Sequence, residues 1–155
     1  MNALMARAVS FGVVVAVWTL ISHYGRLPMQ LWPVLVGVAC FLGSGGGVPG
    51  TQKSALGVAS GVAWGLLGTA ISGALGRSQI LDALITGAVV FAIVFQAKVP
   101  LLSYTTAALA GAATAYGARV VTIEGGVRTA IALLIGVGLG YAAEYGAGMI
   151  KPKRD

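Results

Sequence analysis

The chain has 155 residues, of which 57% are hydrophobic and only 9% charged, with a mean hydropathy of +0.90. A soluble domain carries roughly a quarter charged residues to hold its water. This composition therefore excludes an ordinary soluble globule, whose apolar segments would lie uncovered outside a bilayer. The net charge of +6 does not point to nucleic acid, because the ten Lys and Arg are scattered through the breaks between apolar stretches instead of lining a face.

The first stretch, Ala8 to Tyr24 after Arg7, has the charged start and apolar middle of a signal peptide. No small-x-small cleavage site follows, so it reads as a retained helix with Trp18 and Tyr24 as interface anchors and His23 at the outer interface. The second stretch starts near Met29 and ends at Gly43. It is short against the ~20 residues that cross a hydrocarbon core. It runs into Gly43-Ser44-Gly45-Gly46-Gly47-Val48-Pro49-Gly50, a segment predicted to leave helical geometry. After Thr51, Gln52 and Lys53, a third helix is predicted from Ser54 to about Leu75. The single cysteine, Cys40, forms no intrachain disulfide and reads as a small packing residue.

Gly76-Arg77-Ser78 is a turn, and a fourth helix is predicted from Gln79 to about Ala97, with Asp82 where an acid suits a helix N-terminus. Gln96-Ala97-Lys98-Val99-Pro100 makes a second polar break. A fifth helix follows from Leu101 to Tyr116, then a polar loop with Arg119, Glu124 and Arg128, then a sixth helix from Thr129 to about Met149. The expectation is an all-α polytopic membrane bundle of about six short transmembrane helices. Residues 1–150 form one membrane domain, and residues 151–155 a charged, cytoplasmic tail. Six crossings put both termini on one side, with Arg7, Lys53, Lys98, Lys151, Lys153 and Arg154 there and Arg26, Arg77, Arg119 and Arg128 opposite. That small bias favours both termini inside.

Two stretches, Val48–Gly65 and Val99–Gly117, share a Val-Pro start, a helix of small residues and an aromatic-Gly pair. They suggest an internal repeat with interrupted helices, of the kind that places a transporter's binding site between two halves. Similarity among Ala- and Gly-rich membrane helices in general is the plainer explanation. Glycines four apart, such as Gly57, Gly61 and Gly65, or Gly136 and Gly140, read as faces where helix backbones approach closely. Broad faces of this kind make a homo-oligomer an expectation as well.

Backbone that leaves helical geometry at membrane depth survives only where protein buries it or it lines a wet cavity. On that ground Gly45, Gly46 and Gly47 with Gln52 and Lys53, and Gln96 and Lys98 with Ser103, Tyr104 and Thr105, are the candidate lining of a solute pathway. The bland reading makes the glycines an ordinary loop and the lysines snorkelling surface groups. Glu144, late in the sixth helix, is either interfacial or a charge partner for a lysine. One His, one Cys and four acids form no triad or metal-ligand spacing, so neither an enzyme, a metal nor a cofactor is expected.

The run Gln96-Ala97-Lys98, Leu101-Leu102-Ser103-Tyr104 and the small-residue helix through Gly111 and Ala112 resembles a bacterial inner-membrane family catalogued as domain of unknown function 1097. The glycine break after Ala39-Cys40-Phe41 and the Gly136–Tyr141 run are similar to it too. The resemblance spans nearly the whole chain and implies a multi-pass inner-membrane protein of permease-like character, with no substrate attached. The functional expectation is a channel or facilitator for a small polar solute, neutral or anionic because its rims are cationic. The alternative is a non-transporting scaffold or a subunit that depends on a partner.

Overall fold

The computed structural model describes residues 3–27 and 30–150, all helix and connecting turn. The charged tail 151–155 and Met29, where the second helix was expected to start, lie outside the described residues. Six α-helices follow in order: α1 (Ala3–Tyr24), α2 (Leu31–Gly43), α3 (Gly47–Ala74), α4 (Gln79–Phe95), α5 (Thr105–Gly117) and α6 (Ile123–Met149). Two short 3-10 turns, Gln96–Lys98 and Pro100–Leu102, join α4 to α5.

Six short helices were expected from the sequence, but the helices fall into long and short ones. At ~1.5 Å per residue, α3 with 28 residues and α6 with 27 exceed the thickness of a hydrocarbon core, whereas α2 and α5 have 13 each. Four helices are long and apolar enough to cross a membrane: α1, α3, α6, and α4 taken through Lys98. The glycine break is also narrower than expected. Only Ser44–Gly46 lie outside helix, and α3 begins at Gly47, so Gln52 and Lys53 are helical. Pro49 is tolerated because it falls in the first turn, where an amide has no intrahelical acceptor to lose.

The ends are set by local chemistry. Ser78 caps α4 by accepting from the Leu81 amide, and Thr122 caps α6 by accepting from the Gly125 amide. At the same pole, α1, α3 and α5 each stop at a left-handed residue near an arginine: Arg26, Gly76 with Arg77, and Arg119. Amides there reach back five residues in Schellman fashion, Leu27 to Ser22, Arg77 to Ser72 and Val120 to Ala115.

The core is two backbone-close helix pairs. On α2 and α6, an added Cβ at Gly37 would lie 2.9 Å from the Gly136 Cα, and one at Gly140 would meet the Phe41 ring. On α3 and α5, Gly61 packs on Ala108, Gly111 on Val58, and Gly65 on Ala112 and Ala115. Partners advance together along both chains, so each pair is parallel. The Val48–Gly65 and Val99–Gly117 stretches therefore resemble each other as the two mating sides of one interface. Glycines that suggested self-association are consumed within the chain, and α1 and α4 lie on the outside with mostly exposed apolar side chains.

Candidate functional site

Odd-numbered helices run one way and even-numbered ones the other, so the bundle has two poles. At the first, the α1 start and the α6 end meet: Arg7 Nη2 donates to Glu144 Oε1 at 2.9 Å. The second carboxylate oxygen of Glu144 accepts from the Gly47 amide at 2.6 Å. Gly45, Gly46 and Gly47 have φ of +91°, +77° and +66°, a left-handed path that lays the loop over the carboxylate. A Cβ at Gly46 would collide with both Glu144 oxygens. The charge partner of Glu144 is thus an arginine, together with an amide at the α3 N-terminus, where the helix dipole favours an anion.

The other expected pathway residues line none of the cavities described below and make separate contacts. Gln96 pins α4 to α3, accepting from Trp64 Nε1 at 2.9 Å and donating to Ser60 Oγ at 3.2 Å. Tyr104 donates to the Cys40 carbonyl at 3.1 Å, as does Ser54 at 3.1 Å, tying α5 and α3 to α2. Lys98 lies 4.2 Å above the Phe95 ring, and Ser103 donates to the Pro100 carbonyl at 2.8 Å. Gln52 and Lys53 are exposed on the first turns of α3, and Thr105 is half-buried at the start of α5.

The polar cavity lies at the second pole. It is an open cleft of about 410 Å³ between α3, the start of α4 and the end of α5. Thr69, Ser72, Asp82, Thr86 and Tyr116 line it, with Arg77 and Arg119 at its rim. Ser72 donates to Asp82, and Thr69 donates to the Val120 carbonyl at 2.9 Å. Tyr116 Oη is shielded from solvent and makes no regular hydrogen bond, with Thr86 the side chain placed to pair with it. An unpaired buried hydroxyl costs about 1–3 kcal/mol, which a polar occupant of the cavity would recover. Arg119 and Val121 also line an adjoining space of about 300 Å³ with Gln30, Arg128 and Thr129.

Hydropathy reading missed this cavity because its polar groups are single residues in apolar helices. The usable signal was Asp82, an acid whose place in a helix N-terminus accounted for it without a site. Among the described residues, no three His, Cys, Asp or Glu side chains come together as a metal-binding group.

The chain has relatives in sequence. No solved structure matches the chain. It is 30% identical over 120 residues to the inner membrane protein YcdZ of Escherichia coli (strain K12), an overlap covering 77% of this chain and 72% of that one. Residues 8–148 match the family described as protein of unknown function (DUF1097), and the chain belongs to that family.

Proposed function

We propose that this chain is a multi-pass protein of the bacterial inner membrane that moves a small polar solute, neutral or anionic, across the bilayer. The observation that carries the reading is the open 410 Å³ cavity, lined by the Tyr116, Thr69, Ser72 and Thr86 hydroxyls and Asp82 on helices that are otherwise apolar. Its hydroxyls offer donors and acceptors to an uncharged solute, and Arg77 and Arg119 raise the local concentration of anions. The inner-membrane setting is supported by the name of the relative and by four helices of spanning length. Both termini face the cytoplasm in this reading, all six helices cross, and any self-association uses the lipid-facing sides of α1 and α4.

The test is solute flux in liposomes holding the purified protein, with urea, small amides, glycerol, short carboxylates and halides as the panel. One class is expected to pass, and Tyr116→Phe to slow it about 5-fold, the worth of one net hydrogen bond near 1 kcal/mol. No flux of any member through folded, inserted protein would return the chain to the scaffold or partner-subunit reading.

A further inference from the structure

A shift of 75 residues lays the second half of the chain on the first. Gly12 falls on Gly87, Gly50 on Gly125, Gly61 on Gly136 and Gly65 on Gly140; with one residue fewer, Gly37 falls on Gly111 and Gly43 on Gly117. The element lengths agree: helices of 22, 13 and 28 residues are answered by helices of 17, 13 and 27. Packing agrees as well. Exchanging the halves turns the α3–α5 pair into α6–α2, and the α1–α6 pair into α4–α3. Even the contacting atoms exchange, since Gly111 meets the Val58 carbonyl as Gly37 meets the Leu133 carbonyl. Three helices per half give the halves opposite orientations in a membrane.

The same shift brings the two poles into correspondence. Arg7 falls on Asp82, Glu144 on Thr69 and Ala147 on Ser72. Each pole thus carries a clasp between the halves. Glu144 ties α6 to α1 through Arg7 and to the α2–α3 loop through Gly47. Ser72 and Thr69 tie α3 to α4 through Asp82 and to the α5–α6 loop through Val120. Both clasps are made, and a space of about 340 Å³ beside Arg7 and Glu144 answers the larger one at Asp82, so the poles differ only deeper in. Ile85 lines the open cavity, whereas its counterpart Ser10 is sealed between α1 and α6, donating to the Ala143 carbonyl at 2.6 Å.

We propose that the chain is an inverted repeat of two three-helix units, and that the α1–α6 seam at Ser10, held by the Arg7–Glu144–Gly47 clasp, is the shut gate matching the open cleft between α3 and α4 at Ile85. The inference rests on the transport reading and deepens it to alternating access. Rocking one half against the other releases the charged clasp and closes the Asp82 cavity, so a solute taken up at one pole leaves at the other.

Two matched reporters test it, Ser10→Cys and Ile85→Cys, each in full-length protein carrying Cys40→Ala and placed in liposomes, probed with a small water-soluble methanethiosulfonate. Ile85→Cys is expected to react and Ser10→Cys to resist. Adding Arg7→Gln or Glu144→Gln is expected to raise the Ser10→Cys rate about 10-fold, a shift of about 1.4 kcal/mol, and to slow Ile85→Cys. Arg7→Lys, which keeps the charge, is expected to restore the original pattern, separating gating from misfolding. An unchanged Ser10→Cys rate in both clasp variants overturns the proposal, and so does simultaneous rapid reaction at both reporters, the mark of a continuous pore. Flux read on the same vesicles keeps the two ideas apart. Reciprocal reporter changes without flux remove the transport reading alone, and flux without reciprocity removes the gates alone.

Discussion

Gly46 and Gly45 both have positive φ, +77° and +91°, and differ in what surrounds them. An alanine at either is strained, and Gly46, with ψ of −171°, has a conformation nearly confined to glycine that costs about 1–3 kcal/mol. A Cβ at Gly45 meets nothing within 4 Å, whereas one at Gly46 runs into the Glu144 carboxylate. Gly46→Ala is therefore expected to lower thermal stability in detergent more than Gly45→Ala, by a further ~1–3 kcal/mol for overpacking. In a Glu144→Ala background the gap between the two should narrow, because the colliding atoms are gone. A gap that does not narrow would mean that the loop does not rest on Glu144. The glycine run was legible in sequence as something other than helix packing. Its occupant was not, because the carboxylate comes from α6, 97 positions along the chain from Gly47, and hydropathy carries no such pairing.

At the scale of the helix, glycine has two unlike uses here. Gly37, Gly61, Gly111 and Gly136 sit where backbones touch, and a methyl on any of them enters a partner's carbonyl. Gly12, Gly87 and Gly138 have nothing within 4 Å, so a methyl there points into open space. Gly37→Ala is expected to destabilise by about 1–3 kcal/mol, and Gly138→Ala to be neutral or to stabilise by up to ~1 kcal/mol through helix propensity. Unfolding midpoints of the two purified variants decide it, and equal midpoints would remove the close α2–α6 crossing. Spacing of glycines at four-residue intervals announced close packing correctly. It did not say which helices mate, and a parallel α3–α5 interface resembled a repeat because both sides of such a contact need the same small residues. Helix number was legible from the apolar runs and their breaks. The start of α3 was not, since Val48, Pro49 and Gly50 read as breakers while their position in a first turn makes them harmless.

For the molecule as a whole, the main packing runs between the halves. The two backbone-close pairs, α2 with α6 and α3 with α5, each take one helix from residues before Gly76 and one from residues after it, and both clasps do the same. Within a half, by contrast, the short helix touches its long neighbour only lightly. Neither half therefore has a complete core, because the glycine faces of α2 and α3 are uncovered until α5 and α6 arrive, and membrane helices associate only through such packed faces and interhelical hydrogen bonds. Cutting the chain at the exposed Gly76–Arg77 turn removes a connection that contributes no core contact. Residues 1–76 and 77–155 expressed together are expected to copurify as a stoichiometric complex with a melting midpoint close to that of the intact chain. Either piece expressed alone is expected to be degraded or to aggregate. The Gly61→Ala and Gly136→Ala changes, equivalent under the shift of 75 residues, should weaken that complex to similar degrees, since each places one methyl against the carbonyl of a helix from the opposite half. Folding of one isolated half to a stable, monodisperse protein would show that its core is internal. It would then be a domain in its own right, and the picture of two interdependent units sharing one interface would fail.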